Sequence, residues 1–139
     1  MTANPPNPAF TFAKLAAISL GLAAAFAVLA FGPASAIGGN SQVAAMLFGT
    51  LAALIGSLMA AAAPAWCIAA SAQTFAMATL AGLIIRFLAT MSLALGLRSL
   101  DVVPADALMI WAAVAQLALL AGDVAFLVRL AKTREAKTA

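Results

Sequence analysis

The chain has 139 residues, of which 66% are hydrophobic and 8% charged, with a net charge of +3. A soluble domain carries about 25% charged residues, so this composition is that of a protein dissolved in lipid. It holds no histidine, no tyrosine, one cysteine (Cys67) and four acidic side chains, which excludes bis-histidine haem, histidine zinc sites, Ser-His-Asp triads and internal disulfides. No basic stripe is interleaved with aromatics, so nucleic acid is not an expected partner, and no phosphate-binding loop or metal-ligand cluster implies a cofactor or metal. A non-enzymatic membrane protein is the expectation.

A bilayer core of ~30 Å takes ~20 helical residues. The polar, proline-rich head (1–9) is too polar to insert, and the first apolar span runs over 12–31. Lys14, the apolar run and Ala34-Ser35-Ala36 imitate a secretory signal cleaved after Ala36. The long, weakly charged head and the length of the run favour a retained anchor instead. Residues 32–42, rich in Gly, Pro, Ser and Asn, read as a loop, with Ser41 as a cap for the next helix. The second span covers 43–70, with Pro64 kinking a helix that ends near Ala70. The third covers 75–97 and the fourth 107–130, separated by the turn 98–106, where Pro104 and Asp106 suit a helix start. The basic tail 131–139 is expected to fray.

The predicted fold is therefore an all-α integral membrane protein, a four-helix transmembrane bundle forming one domain over 1–139. Lys14, Arg129, Lys132, Arg134 and Lys137 lie on one side and Arg98 alone on the other, so both termini are expected in the cytoplasm, in a bacterial inner membrane. Trp66 and Trp111 sit near span ends, where an indole can rest among headgroups or simply fill space.

One cation breaks the apolar pattern. Arg86 lies about eleven residues, ~16 Å, from either end of the third span. An arginine at that depth costs ~2.5–3.5 kcal/mol on insertion scales and needs a partner or water. The one acid inside a span is Asp123, and antiparallel helices would leave ~6 Å between the two depths, within reach of an extended arginine. Thr79, Gly82, Arg86 and Thr90 share one helix face, and Gln116 shares a face with Asp123. Arg86 is predicted to pair with Asp123, with Gln116 and Thr90 as supplementary partners. Such a pair can merely fix which helices pack together, or it can relay a proton or cation, or meet a partner's carboxylate.

Small residues recur at Gly49, Ala53, Gly56, Ala60 and Ala63, and again at Ala17, Gly21 and Ala25. Both stripes are expected to pack helices within the chain, with docking onto another subunit as the alternative. The scattered methionines, Met46, Met59, Met77, Met91 and Met109, read as adaptable packing between helices.

Three segments together resemble the ATP synthase protein I family, small membrane proteins encoded beside the F-type ATP synthase. They are "GSLMAAAAPAWCIA" (56–69), "AGLIIRFLATMSLAL" (81–95) with its internal arginine, and "LALLAGDVAFLVRL" (117–130) with its acid near the end. The chain departs from the family in its uncharged 70–75 loop, where relatives often carry basic residues. The resemblance implies an accessory or assembly factor that helps to build the c-subunit ring; magnesium supply is a second role it implies. A small cation or proton transporter, or a structural subunit of another membrane complex, is the alternative.

Overall fold

In the computed structural model, which describes residues 7–67 and 70–138, the chain forms three helices: α1 (Pro8–Trp66), α2 (Ala72–Arg98) and α3 (Ala105–Thr138). Among the described residues there is no strand. All three helices are long and apolar enough to cross a membrane.

The expected count of four helices is corrected to three because the chain stays helical through most of 32–42. Only Gly38 (φ −159°, ψ 24°) and Gly39 (φ 60°, ψ −144°) leave helical geometry. Gly39 adopts a conformation open almost only to glycine, and there the helix turns back on itself. A straight rod would hold residues 19 and 57 ~57 Å apart. Instead the Ser19 and Ser57 hydroxyls are 3.1 Å from each other. The predicted loop shrinks to two residues because its polar groups are satisfied locally. Ser35 donates to the Gly32 carbonyl at 2.8 Å, and Ser41 donates to the Gly38 carbonyl at 3.0 Å rather than capping a new helix. Ala34 is fully buried against the start of the returning arm, packed with Ala30 and Met46.

Other boundaries shift for equally local reasons. Asn7 caps α1, its side-chain oxygen accepting from the Ala9 N–H at 3.0 Å, so Pro8 and Ala9 are helical. The remainder of the predicted polar head, residues 1–6, lies outside the described residues. α1 ends at Trp66 and not near Ala70, with Pro64 inside its last turn. Pro64 has no N–H for the Ala60 carbonyl. Gly82 of α2 approaches that carbonyl: a Cβ built on Gly82 would lie 2.8 Å from the Ala60 oxygen. The absent side chain is what lets the two backbones come this close, as small residues do between membrane helices. α2 begins at Ala72, three residues before the predicted start, because Ser71 accepts from the Thr74 N–H at 3.3 Å. α3 runs on through the tail to Thr138, where fraying was expected; Ala139 lies outside the described residues.

The returning arm of α1 is the hub. Both α2 and α3 lean on α1 and touch each other little. Gly49, Ala53, Gly56 and Ala60 are all buried along this arm. A Cβ on Gly49 would meet the Ala112 backbone nitrogen at 2.7 Å, and one on Gly56 would meet Thr90 Oγ1 at 2.3 Å. Small residues thus let α3 approach on one side and α2 on the other. The stripe Ala17, Gly21, Ala25 does the opposite of what its spacing predicts: all three face outward, and nothing lies within 4 Å of a Cβ on Gly21. The outgoing arm turns Leu15, Ser19, Ala23, Ala30 and Ala34 inward.

The core is mostly alanine, while large side chains such as Val28, Leu29, Leu80, Leu88 and Leu117 are exposed. Small inside and large outside is the arrangement expected where lipid removes any incentive to bury leucine. Trp66 is exposed near the end of α1. Trp111 is instead half-buried against the protein, donating from Nε1 to Gln42 Oε1 at 3.1 Å and meeting Phe26 edge to face. Of the methionines among the described residues, only Met46 fills the core; Met59 and Met77 face outward, and Met91 and Met109 line a groove between α2 and α3.

Candidate functional site

α2 brings Arg86 to its buried face, and α3 brings Asp123 opposite. Arg86 Nη1 donates to Asp123 Oδ2, with the arginine side chain 3% exposed and the aspartate 17%. The face of α2 predicted to turn inward does so: Gly82, Arg86 and Thr90 are buried and Thr79 half-buried.

The carboxylate is received by more than the arginine. Ser57 Oγ donates to Asp123 Oδ2 at 3.0 Å, and Ser19 Oγ lies 3.3 Å from Oδ1. The two hydroxyls are also 3.1 Å apart. Two hydroxyls carry two protons for these three contacts. The shorter pair of bonds is satisfied when Ser57 donates to Asp123 and Ser19 donates to Ser57. Each arm of α1, α2 and α3 therefore contributes one side chain to a single junction.

Neither serine was legible as a site residue from spacing alone. The available signal was isolation, since Ser19 is the only polar side chain between Lys14 and Ser35, and Ser57 follows directly on Gly56 of the packing stripe. Thr50, a second buried hydroxyl of the returning arm, bonds back to the Met46 carbonyl at 2.7 Å and takes no part.

Thr90 and Gln116 do not reach the pair as supplementary partners. Thr90 Oγ1 donates to Gln116 Oε1 at 2.7 Å, joining α2 to α3 about one turn away. The Thr90 hydroxyl has one proton and gives it to Gln116, and no hydrogen bond joins either side chain to the guanidinium. Arg86 Nε and Nη2 consequently have no hydrogen-bond acceptor among the described residues, although both are buried. A buried donor left without an acceptor costs ~1–3 kcal/mol.

Two spaces border the arginine. A cleft of about 70 Å³ touches Ser57, Thr79, Arg86 and Asp123 and reaches Pro64 and Gly82. A groove of about 480 Å³ opens between α2 and α3, with Arg86, Thr90 and Gln116 as its polar residues. No group of three or more potential metal-ligating side chains is found among the described residues. Comparison of the chain with protein-family models, with curated proteins and with solved structures finds no match.

Proposed function

We propose that the protein is a non-enzymatic accessory factor of a bacterial inner membrane, assisting assembly of the F-type ATP synthase c-subunit ring. The observation that carries this reading is the half-used guanidinium. Arg86 gives one nitrogen to Asp123 and keeps Nε and Nη2 without acceptors. A second carboxyl group buried on a partner helix, arriving protonated and so adding no charge, would find two donors there for its carbonyl oxygen, and Asp123 would keep its Ser57 hydroxyl meanwhile. The resemblance of 56–69, 81–95 and 117–130 to ATP synthase protein I supports the choice of partner. In this reading the chain crosses the bilayer four times, the two arms of α1 making two of the crossings. The first is retained, and the positive excess keeps both termini in the cytoplasm.

The test is co-purification from native membranes. Ring subunits should accompany the wild-type protein and be lost from Arg86→Leu. Equal recovery with both would remove the arginine from the role, and recovery of a different complex would make the protein a structural subunit of that complex.

A second reading, transport of a proton or cation, is favoured by one feature: the cleft beside Asp123 carries the Ser57 and Thr79 hydroxyls toward the Pro64 end of α1. It requires uptake into proteoliposomes that fails in Asp123→Asn.

A further inference from the structure

The groove between α2 and α3 has no role in the pairing of Arg86 with Asp123, and it is the larger of the two spaces that border the arginine. It exists because both helices pack on the small residues of α1 and leave their facing sides apart. Its walls include Phe87, Met91, Met109 and Leu117; its polar residues are Arg86, Thr90 and Gln116. The Thr90 hydroxyl donates to Gln116 Oε1, and no hydrogen bond engages the Gln116 amide nitrogen among the described residues. The buried Arg86 holds two further nitrogens, Nε and Nη2, without acceptors. The unused nitrogens at the polar end of the groove are all donors, set beside the oxygens of Thr90 and Gln116.

We propose that this groove binds a neutral, lipid-soluble carbonyl ring compound of the quinone class. Three features select that chemistry. The unused nitrogens donate, so a ligand that satisfies them presents acceptor oxygens. Asp123 already neutralises Arg86, so an anionic ligand would leave a net negative charge deep in an apolar environment, whereas a carbonyl adds none. Phe87, Met91 and Met109 suit a flat ring, because thioether sulfur and aromatic faces both attract aromatic or quinoid rings. One ring carbonyl accepts from the Gln116 amide, and the tail follows Leu117 outward into lipid. The proposal does not depend on the ring-assembly reading; it stands on the groove and its donors.

The full chain in phosphatidylcholine nanodiscs, carrying Trp66→Phe so that Trp111 is the sole indole, provides the test. Trp111 precedes Ala112, which lines the groove. Ubiquinone-1 should quench Trp111 saturably. Ala113 is exposed and lines the groove, so Ala113→Phe should fill the site without disturbing the core and reduce quenching to the linear response of partition into lipid. Gln116→Leu should weaken binding about three- to tenfold, the loss of one neutral hydrogen bond. Quenching that is linear in quinone and equal in wild type and Ala113→Phe overturns the proposal. Palmitate that displaces the quinone at equal or lower concentration overturns the preference for a neutral carbonyl and assigns the groove to carboxylates.

Discussion

The Ser57 hydroxyl lies 3.0 Å from Asp123 Oδ2, on the same carboxylate oxygen that receives Arg86. Ser57 belongs to the arm of α1 that packs against everything else, so this one oxygen ties the hub to α2 and α3 at once. In Ser57→Ala, stability in bicelles should fall by ~0.6–1.7 kcal/mol, the range measured for side-chain hydrogen bonds between membrane helices. A double-mutant cycle with Asp123→Asn should give a coupling energy clearly different from zero. Simple additivity would mean that the contact has no energetic consequence.

Removing one partner of the ion pair should be worse than removing both. Arg86→Leu or Asp123→Leu leaves a buried charge uncompensated and should cost ~3–5 kcal/mol. The double variant Arg86→Leu/Asp123→Leu should recover most of that loss, because its apolar replacements need no partners. Unfolding of the three variants in the same detergent checks this, and a double variant as unstable as the worse single one would contradict it.

Glycines divide sharply by position. Gly82→Leu and Gly49→Leu insert atoms where a Cβ alone would stand 2.8 Å and 2.7 Å from backbone, so each should cost ~1–3 kcal/mol or more through overpacking. A Cβ on Gly21 or Gly32 meets nothing within 4 Å, so Gly21→Leu and Gly32→Leu should change stability by less than ~0.5 kcal/mol. Thermal unfolding of the four variants separates the two classes. A destabilised Gly21→Leu would mean that the outward stripe of the first arm is covered by another chain.

The fold-back at Gly39 should depend on its missing side chain. Gly39 holds φ at 60° with ψ at −144°, so Gly39→Val should cost ~1–3 kcal/mol. Gly38→Ala should be milder, since its Cβ would meet only the flexible Gln42 side chain. Spin labels at the outward positions Leu20 and Ile55 should give one narrow, short distance in wild type and a broadened distribution in Gly39→Val. An unchanged distribution would show that packing between the arms, through Ala23, Ala53 and Met46, closes the hairpin without the glycine.

Much of the molecule could be read from residue types. A chain with 8% charged residues and long apolar runs has no choice but helices suited to lipid, because backbone groups there must bond within their own segment. The meeting of Arg86 with Asp123 followed from scarcity: one cation at mid-span faced one buried acid. The stripe Gly49, Ala53, Gly56, Ala60 was legible because only small residues permit close backbone approach. The three-dimensional structure decided which small residues were used. Helices that are apolar all round carry no pattern separating a lipid-facing side from a protein-facing one, so Ala17, Gly21 and Ala25 looked as suitable as the returning arm and yet face outward. For the same reason the roles of Ser19 and Ser57, the mutual bond of Thr90 and Gln116, and the groove between α2 and α3 emerged only from packing. A hydrogen bond depends on where two helices cross, and in an apolar solvent that crossing is set by shape rather than by hydrophobic contrast.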